Sequence, residues 1–285
     1  MPQKEQIALM TGATSGFGKI IAQHLVQKNY SLFFLARSEE KAKQLIESLN
    51  KGNPQANIDF IICDLSSFHS IVEASHSIRE KCPHIDLLIL NAGLWNFEFQ
   101  ETTDGIEETL QVNLLSPILL FLKIRDLIPV NTNSKVIFTA SGLHQGEIQF
   151  NDLEFRNKFS GFKAYRQSKL GVILITRLLA KHSEFSSISF YSVHPGIVKT
   201  DLGKNANWIS RTIFRLMGSS LESGAKTHIR LIDELAGNLT SGEYYANCQI
   251  TKASKESYDL EKAEKLFDII KGYIKPFSGS STKTS

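Results

Sequence analysis

The fold class is decided by residues 7–22, which run Ile7-Ala8-Leu9-Met10-Thr11-Gly12-Ala13-Thr14-Ser15-Gly16-Phe17-Gly18-Lys19-Ile20-Ile21-Ala22. The apolar run Ile7–Met10 is typical of a buried strand, and the pattern after Gly18 is typical of a helix. Between them, Gly12 permits a tight turn, Gly16 lets the backbone approach a pyrophosphate, and Gly18 lets the helix pack closely on the strand. Such a helix N-terminus offers free N–H groups and partial positive charge to phosphates. The segment therefore predicts a phosphate-binding strand–loop–helix unit.

The rest of the chain repeats this alternation of strand and helix. Further apolar runs predict strands at Ser31–Leu35, Ile58–Ile62, Leu87–Leu90, Lys135–Phe138, Ile188–Val193 and Glu243–Ala246. Helical periods are found at Gly18–Lys28, Glu39–Lys51, Ser67–Lys81, Gly105–Leu127, Phe162–His182, Glu222–Leu235 and Tyr258–Ile274. Regular alternation of this kind predicts a parallel sheet covered by helices on both faces. The glycine spacing is GxxxGxG rather than GxGxxG, so a turn that binds no ligand is the alternative.

Length and composition favour one soluble domain and exclude several classes of protein. The 285 residues carry 32 basic and 29 acidic side chains, a net charge of +3 that gives no basis for a nucleic-acid or membrane partner. The three cysteines form no metal-binding or disulfide pattern, so no metal is expected. We find no secretory signal, and the longest apolar stretch, residues 114–122, is far shorter than the roughly 20 residues of a membrane span. We therefore expect a cytoplasmic protein.

The residues after the second and third strands indicate which dinucleotide is bound. The second strand ends in Ala36-Arg37-Ser38, without the acidic residue that usually holds a free ribose hydroxyl. Arg37 and Ser38 are suited to a 2′-phosphate, which favours NADP(H) over NAD(H); the alternative is that Arg37 only caps a surface loop. Asp64 can accept a hydrogen bond from the adenine amine, or it can close a turn before Ser66. After the fourth strand, Asn91-Ala92-Gly93 supplies small residues where the backbone would pass close to the adenosine.

The chemistry is predicted to lie on the helix that contains Tyr165 and Lys169. These residues are four apart and share a helix face. An ammonium beside a phenol, helped by an oxidised nicotinamide, favours phenolate and draws the phenol's pKa down toward the working pH. Lys169 can also hold ribose hydroxyls. Ser141 follows the fifth strand, where its hydroxyl can stabilise charge on a substrate oxygen. A lone Tyr-x-x-x-Lys pair is usually only a surface contact, so the inference depends on the other residues being present.

Two further segments complete the predicted site. Asn113 falls early in a long helical segment. Its amide can hold a water linked to Lys169; the alternatives are a helix kink or a satisfied buried amide. The segment His194–Thr200 follows the sixth strand; Pro195 and Gly196 shape a loop against the nicotinamide, and Thr200 reaches its amide or a phosphate.

These motifs together resemble the short-chain dehydrogenase/reductase family over residues 7–200. The resemblance implies a single-domain Rossmann-like doubly wound parallel sheet of about seven strands over residues 1–276, with a flexible tail over 277–285. It also implies a catalytic tetrad of Asn113, Ser141, Tyr165 and Lys169. The cofactor-binding residues that it implies are Gly12, Thr14, Ser15, Gly16, Phe17, Gly18, Arg37, Ser38, Asp64, Leu65, Asn91, Ala92, Gly93, Tyr165, Lys169, Pro195, Gly196, Val198 and Thr200.

A narrower resemblance is to the retinol-dehydrogenase and protochlorophyllide-reductase-like branch. It is carried by residues 35–38, 102–107, 168–170, 194–203 and 241–245. Members mostly use NADP(H) and act on bulky apolar carbonyls or alcohols, so the resemblance implies an NADP(H)-dependent oxidoreductase with Tyr165 as general acid and base. The chain departs from the family pattern at Leu90, where Asn is usual, and at Phe17, where Ile is usual. Members of the family are usually dimers or tetramers, so the resemblance leaves open whether this chain forms a homo-oligomer.

The loops that follow the strands predict an apolar substrate pocket. Its candidate walls are Leu94, Trp95, Phe97, Leu143, His144, Phe155, Leu202, Trp208 and Phe214. Ordinary core packing explains each of them equally well, and for His144 a place on a surface loop is the simpler interpretation. Two other functions stay open: an NADP-binding sensor or scaffold with little turnover, and an NAD-linked dehydrogenase.

Overall fold

Eight strands form one sheet in the computed structural model, which describes residues 5–130, 133–196 and 220–278. They are β1 Ile7–Thr11, β2 Ser31–Ala36, β3 Ile58–Ile62, β4 Leu87–Leu90, β5 Lys135–Thr139, β6 Ser189–His194, β7 Tyr244–Ala246 and β8 Gln249–Ile250. Their order across the sheet is β3-β2-β1-β4-β5-β6-β7-β8, and every pair is parallel except β7 with β8.

Helices cover both faces of the sheet. They are α1 Gly18–Gln27, α2 Glu39–Asn50, α3 Phe68–Lys81, α4 Glu108–Leu110, α5 Ser116–Ile124, α6 Gly161–Lys181, α7 Leu221–Asp233 and α8 Leu260–Ser278. Alternate residues of β1 enter different cores: Leu9 packs in the core beneath α3, α5, α6 and α8, and Met10 packs in the core beneath α1, α2 and α7. The predicted doubly wound parallel fold is confirmed.

The order of the strands reverses between β1 and β4. The chain runs outward from β1 through β2 to β3, then returns to the other side of β1 with Leu88 of β4 paired to Leu9. A crevice opens at such a reversal, beyond the carboxyl ends of the strands. Thr11 and Leu90 end β1 and β4 there, so the glycine loop and residues 91–93 leave the sheet side by side.

Three elements differ from the sequence predictions. The strand β8 was missed, because it has two residues and follows a turn in which Asn247 and Cys248 adopt φ of 50° and 61°. The single helix predicted at Gly105–Leu127 is α4, a π-helical segment Gln111–Leu115, α5 and a short 3₁₀ turn. Helix α8 continues to Ser278, two residues into the predicted tail, and the rest of that tail lies outside the described residues.

The π-helical segment has a local cause in the sequence. Pro117 stands in the first turn of α5 and has no N–H, so it cannot donate to the carbonyl of residue 113. The missing bond lets the helix widen across residues 111–115, and Asn113 lies at the centre of that stretch. Widened turns of this kind are frequent at functional sites.

No helix within the described ranges has both the length and the apolarity needed to cross a bilayer.

Lys135, at the start of β5, holds the C-terminal end of α7. Its buried Nζ donates to the carbonyls of Leu231, Ile232 and Glu234 at 2.8, 2.9 and 2.8 Å. These carbonyls have no partner within the helix, because a helix leaves its last carbonyls unpaired. Burial lowers the pKa of Lys135 to about 8, so the ammonium with its three donors is still the main form at pH 7.

We expect Lys135→Met to lower the free energy of unfolding by about 2–3 kcal/mol, because three buried carbonyls lose their donor. The melting temperature should fall by roughly 3–5 °C. Thermal unfolding followed by circular dichroism measures this, with Lys81→Met as the control. Lys81 pairs with Asp59 at the surface, where such pairs contribute little. Equal losses in the two variants would contradict a structural role for Lys135.

Candidate active site

The glycine loop fits tightly against the residues after β4. Gly12 has φ of +72°, and a Cβ there would lie 2.8 Å from Asn91 Nδ2 and 2.9 Å from Ala92 N. A Cβ on Gly18 would lie 1.9 Å from the carbonyl oxygen of Gly12. The amide of Asn91 donates to that carbonyl at 3.2 Å. The roles predicted for Gly12 in the turn and for Gly18 in close packing therefore have a steric basis.

Two threonines join the ends of three strands. Thr11 Oγ1 accepts hydrogen bonds from the backbone N–H groups of Asn91 and Ala92, both at 3.0 Å. Thr139 Oγ1 donates to Asn91 Oδ1 at 3.1 Å and also lies 2.9 Å from Nε2 of the fully buried His228 on α7. Burial lowers the pKa of His228 to about 3, so the ring is neutral.

Thr11, Thr139 and His228 are not among the site residues predicted from the sequence. The position of both threonines at the last residue of a strand was a usable signal for them. His228 lies far away in the chain, and nothing in the sequence around it indicates the contact with Thr139.

The residues predicted to bind the adenosine half lie along the same edge of the sheet. Arg37 is exposed directly after β2, and Ser38 caps α2 by accepting the N–H of Lys41 at 3.3 Å. Asp64 Oδ1 accepts from the backbone N–H and the hydroxyl of Ser66 at 3.0 and 2.8 Å, so this residue closes a turn. Its role toward adenine stays a prediction. In the glycine loop Ser15 is exposed, Thr14 and Gly16 are half-buried and Phe17 is buried, and Leu65 is buried after β3.

Tyr165, Ser141 and Lys169 come together at the end of β5. The Ser141 hydroxyl lies near enough to the Tyr165 phenol to lower its pKa, and Ser141 Oγ accepts the N–H of Leu143 at 3.1 Å. Lys169 Nζ lies 5.8 Å from the centroid of the Tyr165 ring and donates to the carbonyl of Thr139 at 2.9 Å. All three side chains are buried, so their interactions are little screened by water.

Burial acts on the two titratable groups in opposite directions. It raises the pKa of Tyr165 above its usual value, against a smaller lowering by the Ser141 hydroxyl. It lowers the pKa of Lys169 to about 8. The loss of hydration therefore disfavours phenolate more than the Ser141 hydroxyl favours it. The lowering that Lys169 and an oxidised nicotinamide would together produce stays a prediction.

Asn113 fixes the chain that leaves β4. Its Oδ1 accepts the N–H of Leu94 and its Nδ2 donates to the carbonyl of Leu94, both at 2.8 Å. The same Nδ2 lies 3.1 Å from Ser168 Oγ. Its side chain is therefore a satisfied buried amide, and it lies in the π-helical segment; a water between Asn113 and Lys169 stays a prediction. Gly93 passes close by, since a Cβ there would lie 3.1 Å from Asn113 Oδ1 and 3.3 Å from Lys169 Nζ.

The loops after β5 and β6 are joined by His194. Its Nδ1 accepts the N–H of Gly142 at 2.8 Å and that of Gly196 at 3.3 Å. Burial lowers the pKa of His194 to about 4, which keeps this ring neutral and able to accept. Gly196 has φ of +84°, so a glycine suits the predicted turn beside Pro195. Val198, Thr200, Leu202, Trp208 and Phe214 lie outside the described residues.

The side chains predicted to line the pocket lie in different surroundings. The surface position favoured for His144 is wrong: the ring is buried, with Nδ1 2.8 Å from the carbonyl of Ser141 and Nε2 accepting the N–H of Ser254 at 3.0 Å. Phe155 is buried with φ of +52°, and Leu94 and Leu143 lie beside Asn113 and Ser141. Trp95 stacks directly on Tyr165, with ring centroids 4.6 Å apart and planes 13° from parallel.

Comparisons with known proteins agree with this geometry. The family model described as short chain dehydrogenase matches residues 6–208. Human polyprenol dehydrogenase is 30% identical over 281 residues, covering 93% of this chain and 84% of that protein. Retinol dehydrogenase 14 of Mus musculus is 31% identical over 279 residues, covering 92% and 83%. Among solved structures, an NADPH-bound carbonyl reductase from chicken fatty liver has a TM-score of 0.65 at 22% identity, covering 87% of this chain and 94% of that chain, and supports the fold.

Proposed function

The chain belongs to the short-chain dehydrogenase family, and from this we propose that it moves a hydride between NADP(H) and the carbon of an apolar carbonyl or alcohol. The observation that carries the proposal is the buried cluster of Tyr165, Ser141 and Lys169 at the end of β5. These groups lie at the edge of the sheet from which the glycine loop also emerges, where parallel sheets bind their ligands. A phenol and a hydroxyl that lie side by side can together hold a single substrate oxygen.

The residues along the crevice suit a dinucleotide. The backbone at Gly12 has no room for a side chain, and α1 begins immediately after the loop with no side chain capping its N-terminus. The exposed guanidinium of Arg37 after β2 supports a 2′-phosphate and hence NADP(H) over NAD(H). When bound, the nicotinamide supplies the hydride for reduction and accepts it for oxidation.

In the direction of reduction, the chain's own groups handle the proton and the oxygen. Ser141 Oγ accepts the N–H of Leu143, which leaves its hydroxyl proton free to donate to the substrate oxygen. Tyr165 gives its proton to the same oxygen as negative charge develops there. The ammonium of Lys169, 5.8 Å from the centroid of the phenol ring, stabilises the phenolate that remains. Oxidation of an alcohol runs the same steps in reverse.

An apolar substrate is supported by the surroundings of Tyr165 and by the relatives. Trp95 stacks on the phenol, and Phe97 stacks on the indole, so ring surface surrounds Tyr165 on this side. Two of the relatives are named for polyprenol and for retinol, both largely hydrocarbon alcohols. Apolar walls with a few fixed polar groups are the usual composition of a small-molecule pocket.

The proposal is tested by following NADPH oxidation at 340 nm with propanal, decanal, all-trans-retinal and androstenedione in turn, each repeated with NADH. We expect turnover of at least one of the larger carbonyls, with NADPH preferred. Binding of NADPH without turnover of any carbonyl, or of retinol and decanol with NADP⁺, would overturn the proposal in favour of a cofactor-binding sensor or scaffold. Equal rates with NADPH and NADH would support the proposed reaction and contradict the proposed preference for NADP(H).

A further inference from the structure

Trp95 covers the phenol that is proposed to move the proton. Its indole lies nearly parallel to the Tyr165 ring, 4.6 Å away between centroids. Phe97 stacks on Trp95 at 5.1 Å and 16°, and Phe162 leans against it at 6.0 Å and 39°. Trp95 and Tyr165 are only 7% and 6% exposed, whereas Phe162 is 45% exposed. The phenol is therefore the buried end of a row of aromatic rings that reaches the surface.

The backbone on both sides of Trp95 is fixed by its neighbours. Before it, the N–H and the carbonyl of Leu94 are both held by the Asn113 amide. After it, the carbonyl of Asn96 and Cα of Phe97 press against Gly161, where a Cβ would lie 2.0 and 2.8 Å from them. The side chain of Asn96 also donates to Glu108 Oε2 at 2.5 Å. The segment that carries the indole has little freedom to move.

Gly161 connects this segment to the phenol itself. It is the first residue of α6 and stands one helical turn before Tyr165, on the same face. The close approach at Gly161 therefore sets the distance between the chain at residues 95–97 and the part of α6 that carries Tyr165. Stacking at 4.6 Å follows from that distance.

We infer that Trp95 is a positioning residue for the proposed reaction: its indole holds the Tyr165 ring in the plane from which the hydroxyl reaches Ser141, and keeps water from one face of the phenol. The inference rests on the proposed function. Parallel stacking against a large ring resists rotation of the phenol about its Cβ–Cγ bond. Exclusion of water favours the neutral phenol, the form that can donate a proton to a carbonyl oxygen.

The test uses the carbonyl from the panel above that the wild-type protein reduces fastest. Trp95→Leu removes the ring plane and admits water, and we expect kcat to fall about 10- to 100-fold with KM changed little, as for a misplaced catalytic group. Trp95→Phe, which restores a ring, should recover kcat to within about 3-fold of wild type. Phe162→Leu, on the outer side of Trp95, is the matched control and should leave kcat unchanged.

A second variant tests the position of Trp95 without changing any aromatic ring. Gly161→Ala places a methyl where the carbonyl of Asn96 lies, so the segment must move away from α6, and kcat should again fall more than KM changes. Circular dichroism and calorimetric binding of NADPH verify that each variant is folded.

The outcomes separate this inference from the proposed function. A rise in KM alone in Trp95→Leu would make Trp95 a simple pocket wall and overturn the inference. The inference would also be overturned if Trp95→Leu and Phe162→Leu had the same kcat. If Tyr165→Phe were inactive in that case, the proposed function would still stand. Absence of wild-type turnover would reject the proposed function itself.

Discussion

Replacing Tyr165 with Phe should lower kcat/KM for carbonyl reduction by about 10²- to 10⁴-fold, the usual contribution of a positioned general acid. The change removes one oxygen and keeps the ring that stacks on Trp95, so the local packing is preserved. The hydroxyl of Ser141 remains, but it has no neighbouring proton donor to pass a proton to the substrate oxygen. Initial rates of NADPH oxidation measure the loss, and calorimetry should show NADPH binding within a few-fold of wild type.

Tyr273→Phe is the matched control for this loss. Tyr273 is on α8 and donates to Glu154 Oε1 at 3.0 Å. Its replacement by Phe removes the same phenolic oxygen in a different part of the protein. Its activity should stay near that of wild type. If Tyr165→Phe retained wild-type activity, the assignment of the proton donor would be wrong.

Replacing Arg37 with Ala should weaken NADPH binding by about 10²-fold, because charge-assisted hydrogen bonds of roughly 1.5–3 kcal/mol each are lost. Binding of NADH should change by much less, because NADH has no 2′-phosphate for the guanidinium to contact. Arg37 is exposed after β2, so its removal leaves no cavity in the core. Titration calorimetry with both cofactors measures the ratio of the two affinities.

Lys43→Ala serves as the control for Arg37. Lys43 is a nearby surface cation on α2, already paired with Glu39 at 2.7 Å. Its removal should leave the preference between the two cofactors unchanged. Equal losses of NADPH and NADH affinity in Arg37→Ala would reject the assignment of Arg37 to the 2′-phosphate.

The sheet and the order of its motifs were predictable because they depend on local patterns. Most of the first six strands are apolar runs, and polar or small residues follow where the run ends, as in Thr11-Gly12 and Leu90-Asn91. The parallel arrangement follows from the alternation of strand and helix. The position of Tyr165 and Lys169 on one helix face follows from the helical repeat alone.

What the sequence did not predict depends on contacts between distant residues. The amide of Asn113 is occupied by the backbone of Leu94, and His228 contacts Thr139 from another helix. Neither pairing has a local pattern. The direction of the Tyr165 pKa also depends on burial in three dimensions, which proximity to Lys169 in the sequence does not report. The stack of Trp95 on Tyr165 requires the close approach at Gly161, which only the packed structure reveals.

The strand order also sets the timing of folding. At the centre of the sheet, β1 pairs with β4, and the backbone N–H of Ile7 donates to Asp86, a partner 79 residues later. A contact between residues so far apart costs loop-closure entropy before it brings stability, so folding should take milliseconds to seconds or longer rather than microseconds. During synthesis, one edge of β1 stays without its partner until β4 leaves the ribosome. Newly made chains are therefore most prone to aggregate in that interval, and slower, cooler expression should raise the yield of folded protein.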